Sequence, residues 1–318
     1  MTVLRPKVAV IGCGNVGVRY AYALAITGAA REIVLVDADR RRTEGEVMDL
    51  CHGAPFIPPV EIREGDYPEI AGSDIVALTA GRRQRPGESR LDLAKGNVGL
   101  FSGIVPLVMR HAPDAILLVV SNPVDVLSYA AWKFSGRPAG KVIGSGTLLD
   151  SARLRFLMAR HCRVDARNIH AYVLGEHGES EFAAWSCATI GGVRIADYCP
   201  GCRNGPSCGR VEELDGLFAG VRDSAGEIIA RKGETSYGIG LAMVRITRAI
   251  LQDENAILPV SSLARDIPGV GEVYLSRPAV VNGGGVRDVL RIRLAGGEEA
   301  ALRRSAATIR RAIEDSGL

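Results

Sequence analysis

The sequence feature that most constrains the fold is a glycine-rich turn placed between an apolar strand and an apolar helix. Lys7 to Ile11 predicts a short buried strand, Gly12-Cys13-Gly14-Asn15-Val16-Gly17 follows directly, and Val18 to Ile26 predicts a helix. A second predicted strand, Glu32 to Val36, ends in Asp37, 20 positions after Gly17. A lone glycine triplet is weak evidence, but this context is typical of a βαβ unit that binds a dinucleotide.

Each part of this turn has a physical role in holding a dinucleotide. Gly12 permits the tight turn, Gly14 lets the backbone approach the pyrophosphate, and Gly17 allows the helix to pack closely on the strand. Asn15 and Val16 lie between the last two glycines, near a predicted helix N-terminus whose free N–H groups favour phosphate. We therefore expect these five residues to contact the cofactor.

The acidic residue after the second strand favours NAD over NADP. The carboxylate of Asp37 accepts hydrogen bonds from the adenosine ribose hydroxyls and repels a 2′-phosphate. Arg40, Arg41 and Arg42 follow and in principle attract that phosphate. We expect them instead on the exposed start of the next helix.

The pattern continues as buried strands that alternate with helices. Further strands are predicted at 60–63, 75–79, 115–120 and 142–144, with a helix at 91–110. This alternation predicts an α/β fold: an N-terminal Rossmann domain with a doubly wound parallel sheet over residues 1–146, followed by a C-terminal α+β substrate domain over 147–318. Glu298 to Leu318 predicts an amphipathic helix on the second domain. The ligand is expected at the carboxyl ends of the strands, where Asn122 and Thr79-Ala80-Gly81 lie.

Composition excludes several classes of protein. Of the 318 residues 47% are hydrophobic and 24% charged, with a formal net charge of +3, as in an ordinary globular protein. No apolar run reaches the roughly 18 residues of a membrane span, and Met1 to Pro6 is too short and polar to predict a signal peptide. The sequence contains no basic block interleaved with aromatic residues, so it does not predict nucleic-acid binding. We expect a cytoplasmic protein.

The seven cysteines fall into two groups. Four are scattered in apolar or helical contexts and are interpreted as small buried hydrophobic residues: Cys13, Cys51, Cys162 and Cys187. Cys199, Cys202 and Cys208 cluster in a Pro/Gly-rich segment, where a metal or disulfide site and a loop of reduced thiols remain alternatives. An odd number of cysteines without a secretion signal indicates a reducing compartment.

A histidine between glycines is the candidate acid/base group. His177 follows the alternating apolar run 169–174, which predicts a strand that presents the imidazole at a sheet edge. Asp150 and Arg153, three positions apart, share one face of a helix that opens near Thr147. Arg153 suits a carboxylate clamp and Asp150 suits orienting an imidazole, with a structural histidine and a structural salt bridge as the alternatives.

The polar loop after the strand at 75–79 is a candidate lid. Residues 81–91 are punctuated by glycine and proline and leave the sheet at its ligand-binding end. A closing lid would bring Arg90 onto a bound anion and exclude water. A solvated connection is the alternative.

Taken together in order, these motifs resemble the L-lactate/malate dehydrogenase family over essentially the whole chain. The resemblance is carried by Gly12-x-Gly14-x-x-Gly17, Asp37, the loop from Gln84 to Arg90, Ser121-Asn122-Pro123, Leu149-Asp150-Ser151-Ala152-Arg153, Gly175-Glu176-His177-Gly178 and Lys232-Gly233-x-Thr235. Departures are mild: Glu179 stands where aspartate is frequent, Ser236 follows Thr235, and arginines occupy 82, 83 and 85.

The resemblance implies a role for each of these side chains. His177, paired with Asp150, protonates the carbonyl oxygen of a 2-oxo acid while NADH delivers a hydride to its carbon. Arg153 holds the substrate carboxylate, and Arg90 polarises the carbonyl once the lid closes. Asn122 lies near the carbonyl and the nicotinamide ribose, and Thr235 lines the pocket. No metal cofactor is expected.

The substrate side chain is expected to face Gln84. In this family malate enzymes carry arginine at that position, so neutral Gln84 and acidic Glu88 favour pyruvate over a dianion. Arg83 and Arg85 raise the local positive potential, which keeps a malate or other 2-hydroxy-acid dehydrogenase as the alternative. A third reading is a non-catalytic NAD-binding regulator, which need not retain Asp150, Arg153, His177 and Arg90.

The resemblance also implies regulation and assembly. Arg155 lies about 200° around the helix from Arg153 and so points away from the active site. Arg155 and His170 match positions where bacterial lactate dehydrogenases of glycolysis and fermentation bind fructose 1,6-bisphosphate between subunits, which implies an allosteric homotetramer. Two unrelated surface residues are the alternative.

The role of Gln84 is testable by substitution. We expect Gln84→Arg to shift preference towards oxaloacetate, because it adds a cation for the second carboxylate. The measurement is kcat/KM for pyruvate and for oxaloacetate, with Gln84→Leu as a control for size without charge. An unchanged ratio of the two constants in Gln84→Arg would show that the assigned role is wrong.

Overall fold

A computed structural model describes residues 6–82, 90–198 and 211–318 of the chain. The side chains of residues 90, 211 and 212 lie outside that description. Gln84, most of the predicted lid and Cys199, Cys202 and Cys208 also lie outside the described residues. The predictions that concern them therefore remain predictions.

The first half alternates strands and helices as predicted. Its strands are β1 Lys7–Ile11, β2 Glu32–Val36, β3 Glu61–Glu64, β4 Ile75–Leu78, β5 Ile116–Val119 and β6 Val142–Gly144, and its helices are α1 Asn15–Thr27, α2 Arg40–His52, α3 Arg90–His111 and α4 Val124–Ser135. The six strands pair in parallel in the order β6-β5-β4-β1-β2-β3. The predicted Rossmann sheet is confirmed. Helix α1 begins at Asn15, three residues earlier than predicted, because the turn residues 15–17 already form its first turn.

The second half adds helices and antiparallel strands. Its elements are α5 Leu148–Cys162, β7 Ile169–His170, β8 Val173–Leu174, β9 Phe182–Ala183, β10 Thr189–Ile190, β11 Val193–Arg194, α6 Ile195–Tyr198, α7 Val211–Lys232, α8 Tyr237–Leu251, β12 Ala256–Ala264, β13 Val273–Asn282, β14 Gly285–Val289 and α9 Gly296–Asp315. Strands β12 to β14 pair antiparallel and extend the large sheet past β6 to nine strands. The predicted division at residue 146 falls in the turn between β6 and α5, while the sheet continues across it.

The predicted single strand over 169–174 is wrong. Its two ends form separate short strands: β7 pairs with β10, and β8 pairs with β9. Ala171 and Tyr172, between them, belong to neither strand, and the two ends lie in different sheets. The alternation of apolar residues reflects burial in two places and not one continuous strand.

Both faces of the large sheet are covered. Successive residues of β1 alternate between two apolar clusters, with Val8 and Val10 on the side of α1 and α8 and Ala9 and Ile11 on the side of α3 and α4. Strands buried on both faces are typical of parallel sheets between helices. This packing holds the carboxyl ends of the strands at one edge, where the loops that carry the candidate site begin.

Helix α3 is the one helix of the described chain that is long and apolar enough to cross a membrane. A third of the relevant window, 33%, is buried in the fold, and a single helix of this kind is weak evidence for a span. Its buried residues Val98, Phe101, Val105 and Val108 join the apolar cluster on the α4 side of the sheet. That packing is what a core helix of a globular domain shows.

The buried-hydrophobic interpretation of the cysteines holds for one residue and fails for another. Cys13 is buried, whereas Cys51 is exposed and Cys162 and Cys187 are half-buried. Cys51 lies in the last turn of α2, a helix in which only Thr43 and Val47 are fully buried. Position on the outer face of that helix, which composition does not reveal, explains the error.

A buried hydrogen bond joins the two halves of the molecule, and it gives a test of the fold. Tyr20 Oη of α1 lies 2.5 Å from Thr247 Oγ1 of α8, and both residues are fully buried. Tyr20→Phe leaves the Thr247 hydroxyl without this partner, and we expect the free energy of unfolding to fall by about 1–3 kcal/mol. Urea denaturation measures it.

Two further variants sharpen that test. Tyr22→Phe is the matched control, because Tyr22 is an exposed tyrosine of the same helix, and its effect should stay within about 0.5 kcal/mol. The double variant Tyr20→Phe/Thr247→Val should lose less stability than the two single changes added together, since it removes donor and acceptor together. Equal effects of Tyr20→Phe and Tyr22→Phe would contradict the assigned role of the bond.

Candidate active site

The loop that carries His177 is fixed by the large sheet and by the last helix. Gly175 exchanges backbone hydrogen bonds of 3.0 and 2.9 Å with Ser276 of β13. Its φ is +92°, and a Cβ at this position would lie 2.5 Å from Ser305 Oγ of α9, so glycine is required. The N–H of Glu176 donates to Ser305 Oγ at 2.7 Å. The strand β8 thus ends in a turn that directs the next residue, His177, towards α5.

His177, Asp150 and Arg153 form one hydrogen-bonded chain. His177 Nδ1 lies 2.7 Å from Asp150 Oδ2, and Arg153 Nη1 donates to Asp150 Oδ1 at 2.7 Å. Asp150 is buried, while 29% of the His177 side chain and 16% of the Arg153 side chain remain exposed. Both cationic groups therefore keep a free edge towards the outside of the site. The expected contact of Asp150 with His177 is present, and so is the Asp150–Arg153 salt bridge that stood as the alternative.

The charges of these hydrogen-bonded side chains shift the pKa values of His177 and Asp150 in opposite directions. Burial lowers the pKa of His177, but the charge of Asp150 and the hydrogen bond to it outweigh burial and raise the pKa to about 9. Burial raises the pKa of Asp150, yet the charges of His177 and Arg153 and their hydrogen bonds hold it below its usual value. An ionised Asp150 and a protonated imidazole are the favoured states near neutral pH.

Two buried acids beside this chain escaped the sequence analysis. Glu181 is buried, and burial together with the Asp150 charge raises its pKa to about 8. Asp125, in the first turn of α4, accepts hydrogen bonds from the His177 N–H at 2.8 Å and from Ser261 Oγ at 2.5 Å. An acid inside the apolar run 124–131 was the available signal for Asp125. Nothing in the local pattern singles out Glu181.

Asp150, His177 and Glu181 also form the one group in the described part of the chain with metal-ligand potential. One ligand atom of each lies within 4.8 Å of the others. However, the nearest atoms of His177 and Asp150 are bonded to each other, and Arg153 holds the second oxygen of Asp150. A guanidinium at hydrogen-bond distance repels a cation, so this geometry suits an acid/base pair.

The glycine turn fits the pyrophosphate of a dinucleotide. Gly12 has φ +107°, and a Cβ there would lie 2.4 Å from the Ala80 N. A Cβ on Gly17 would lie 2.0 Å from the Gly12 carbonyl oxygen, whereas one on Gly14 would have no neighbour within 4 Å. Gly14 therefore leaves its backbone open on the outside, at the start of α1, where Asn15 and Val16 provide the first helical N–H groups.

The surroundings of Asp37 favour an unphosphorylated ribose. Asp37 follows β2, and its carboxylate accepts from the N–H of Cys13 at 2.6 Å and of Asp39 at 3.0 Å. A cleft of about 370 Å³ opens beside it, with acidic residues contributing most of the lining: Asp37, Glu44, Glu64, Asp66 and Glu69. Arg40 also lines the cleft but is paired with Asp66 at 2.5 Å. Arg40, Arg41 and Arg42 lie exposed at the start of α2. The site fits NAD.

Of the remaining predicted site residues, Asn122 and Thr235 are fully described and Arg90 is described without its side chain. Asn122 is exposed at the carboxyl end of β5, three residues before Asp125, and its carbonyl accepts from Asn97 Nδ2 at 2.8 Å. Thr235 is half-buried between α7 and α8, near Gly238, whose Cβ would lie 3.0 Å from Leu149 Cδ1. The first segment leads into α4, which contacts the His177 loop through Asp125, and the second leads into α8, whose Gly238 approaches Leu149 of α5. Arg90 begins α3, but its side chain lies outside the described part of the chain. Gln84 lies outside it altogether.

Arg155 lies on α5 and His170 on β7. Arg155 is half-buried, and its Nε has no hydrogen-bond partner among residues 6–82, 90–198 and 211–318. Burial lowers its pKa, and Tyr172 faces it. His170 is exposed on β7. Neither basic side chain belongs to the hydrogen-bonded group of Arg153, Asp150 and His177.

Comparison with known proteins gives a consistent match over the whole chain. Residues 6–144 match the lactate/malate dehydrogenase NAD-binding domain, and residues 147–317 match the lactate/malate dehydrogenase alpha/beta C-terminal domain. An L-lactate dehydrogenase of Thermoanaerobacter sp. (strain X514) is 47% identical over 309 residues, which is 97% of this chain and 98% of that protein. An L-lactate dehydrogenase of Acetivibrio thermocellus is 46% identical over 308 residues, covering 97% and 96%.

Two solved structures match closely as well. The lactate dehydrogenase MGS-M5 from a Medee basin deep-sea metagenome library has a TM-score of 0.95 and 44% identity, covering 99% of this chain and 100% of that one. The minor L-lactate dehydrogenase from Enterococcus mundtii has a TM-score of 0.93 and 39% identity, covering 98% of each chain.

Proposed function

The chain belongs to the lactate/malate dehydrogenase family, and we propose that it interconverts pyruvate and L-lactate with NAD as cofactor. The observation that carries the proposal is the hydrogen-bonded chain of Arg153, Asp150 and His177, which ends in a raised-pKa imidazole. The nicotinamide of bound NADH supplies the hydride that reduces the carbonyl carbon. The protein's own side chains supply the proton, the orientation and the charge.

The proton comes from His177. Its Nδ1 is held by Asp150, so the other ring nitrogen, Nε2, is free to face the carbonyl oxygen of the substrate. A pKa of about 9 keeps the imidazole protonated at neutral pH. Before the proton is transferred, the ionised Asp150 stabilises the imidazolium. After the transfer, it fixes the tautomer of the neutral imidazole.

Arg153 holds the substrate carboxylate. One nitrogen of its guanidinium is bound to Asp150, which leaves the outer edge of the planar group for a two-pronged contact. Because Asp150 touches both His177 and Arg153, it sets the distance between the carboxylate clamp and the proton donor. We assign Arg90 to polarise the carbonyl from the lid, Asn122 to the carbonyl and nicotinamide ribose, Gln84 to the substrate side chain and Thr235 to the pocket wall.

The charge of the site suits a monoanion. A pKa of about 8 keeps Glu181 largely neutral at pH 7, so His177, Asp150, Arg153 and Glu181 together carry one net positive charge. One carboxylate, as in pyruvate, neutralises it. A dicarboxylate such as oxaloacetate needs a further cation, which makes a malate or other 2-hydroxy-acid dehydrogenase the second candidate. A non-catalytic NAD-binding regulator has no need of this paired acid/base chain.

We further propose an allosteric homotetramer in the cytoplasm that acts at the fermentative end of glycolysis. Arg155 and His170 are the residues assigned to a fructose 1,6-bisphosphate site between subunits. Support comes from the half-buried Arg155, whose Nε lacks a hydrogen-bond partner in the described part of the chain. A bound phosphate stabilises a desolvated guanidinium.

The proposed reaction is tested by NADH oxidation with pyruvate and with oxaloacetate side by side. We expect pyruvate to be the better substrate, with kcat/KM for its reduction constant at neutral pH and falling as the pH rises through about 9, where His177 loses its proton. Asp150→Asn should lower that pKa and reduce the rate by at least about 10²-fold. Higher kcat/KM with oxaloacetate would favour the malate alternative, and no oxidation with either acid would favour the regulator.

The effector site is tested separately. Fructose 1,6-bisphosphate should lower the KM for pyruvate, and Arg155→Gln should remove that response, because the bisphosphate needs the guanidinium. Fructose 6-phosphate at equal ionic strength is the control for a simple salt effect. Identical pyruvate saturation curves with and without the bisphosphate would rule out the site.

A further inference from the structure

A second buried carboxyl group touches the catalytic loop at His177 itself. Asp125 is 2% exposed, and each of its two oxygens accepts one hydrogen bond. Oδ2 accepts from the backbone N–H of His177 at 2.8 Å, and Oδ1 accepts from the Ser261 hydroxyl at 2.5 Å. Helix α4, the loop after β8 and strand β12 therefore meet at a single side chain.

We propose that Asp125 is a positioning residue for proton transfer, which fixes the backbone of His177 so that the imidazole stands between Asp150 and the substrate. The inference rests on the proposed function, because it assigns Asp125 a part in the same reaction. Asp125 does not touch the reacting atoms, and it acts through the main chain of His177.

The need for such a contact follows from the shape of the loop. Residues 175–181 between β8 and β9 form no regular structure, so each backbone N–H needs its own acceptor. Gly175 and Glu176 find theirs in Ser276 and Ser305. His177 finds its acceptor in Asp125. Of these three acceptors only Asp125 can carry a charge, and a charged acceptor makes the stronger bond.

Burying a carboxyl group such as that of Asp125 costs free energy unless hydrogen bonds at its position compensate for the loss of water. Burial raises the pKa of Asp125 to about 7, and the bonds from Ser261 and the His177 N–H oppose that shift. The first turn of α4 adds a favourable field for a negative group. An apolar residue in this space would leave both donors without an acceptor, whereas a side chain that carries a carboxyl or amide oxygen provides one.

Asp125 also lies on the segment that leads from the proposed substrate-facing residue Asn122. Only Pro123 and Val124 separate the two, and the carbonyl of Asn122 is held by Asn97 of α3. One short segment at the end of β5 thus sets both Asn122 and the main chain of His177. Moving Asp125 would therefore change the proton donor relative to the cofactor side of the site.

Four variants test this role in the enzyme with saturating NADH. Asp125→Ala removes both hydrogen bonds, and we expect kcat for pyruvate to fall about 10²-fold, since a small misplacement of an acid/base group has an effect of that size. Asp125→Asn should keep kcat within about threefold of the unmodified enzyme, because the amide oxygen accepts from His177 and the amide N–H donates to the Ser261 hydroxyl. Ser261→Ala should have an intermediate effect.

Ser128→Ala is the matched control. Ser128 is fully buried on the same helix, and its hydroxyl donates only to the Val124 carbonyl at 2.7 Å. If Asp125→Ala merely loosened α4, Ser128→Ala should reduce kcat to a similar degree. NADH affinity, measured by fluorescence, should change much less than kcat in all four variants, since none of them alters the glycine turn between β1 and α1. Wild-type kcat in Asp125→Ala would overturn the proposal.

A second measurement does not depend on turnover. The protein has five histidines, and the NMR signal of His177 in ¹³C-labelled protein is identified by its absence in His177→Gln. Asp125, Asp150 and Glu181 all raise the pKa of His177, so Asp125→Asn should lower it, while Asp125→Ala should also change its chemical shift. The other four signals report whether the variant is folded. An unchanged His177 signal in folded Asp125→Ala would refute the proposal.

The two measurements separate failure of the proposal from failure of the proposed function. If the unmodified protein fails to reduce pyruvate but the His177 signal responds to Asp125 substitution, the assigned reaction is wrong and the contact still positions the ring. If pyruvate is reduced and Asp125→Ala reduces it at the full rate, the reaction stands and the positioning role is wrong.

Discussion

The structure of the site depends on one buried carboxylate shared between two cations. Removing an ion of this kind from water costs several kcal/mol, which only close pairing and hydrogen bonding recover. Asp150 meets that condition, because an imidazole and a guanidinium bond to its two oxygens at 2.7 Å each. The same bonds give direction to His177 and Arg153. Charge compensation of Asp150 and orientation of the two groups proposed to bind substrate are therefore one and the same interaction.

The fold brings these partners together by joining its two halves through a continuous sheet. Helix α5 follows the last parallel strand, β6, and places Asp150 and Arg153 at the carboxyl edge of the sheet. The antiparallel strands β12 and β13 then supply Ser261 and Ser276, which reach the His177 loop directly or through Asp125. The C-terminal half is thus built onto the dinucleotide-binding half, so the geometry between the glycine turn and His177 is set by strand pairing.

The parts that the sequence predicted are those whose cause is local. The strands β1, β2 and β6 have the predicted bounds. The glycine turn and Asp37 were sufficient to predict the Rossmann fold, because strand, turn and helix are neighbours in sequence. Asp150 and Arg153 could be paired because three residues separate them on a helix. Asp125 bonds to a residue 52 positions away, so the apolar run around it could indicate its burial but not its partner. Cys51 and the break within 169–174 were misjudged for the same reason: which side an element packs against is decided by distant parts of the chain.

The pair of carboxyl groups in the site shows how position decides chemistry. Asp150 is bonded to both cations and its pKa falls, whereas Glu181 feels the same burial and the Asp150 charge without comparable hydrogen bonds, so its pKa rises to about 8. Two acids a few ångströms apart thereby adopt different charge states near neutral pH. With Glu181 neutral, the four side chains of His177, Arg153, Asp150 and Glu181 carry one net positive charge between them. In the proposed reaction a dicarboxylate needs a further cation for its second carboxylate, and Gln84, the residue proposed to face the substrate side chain, supplies none.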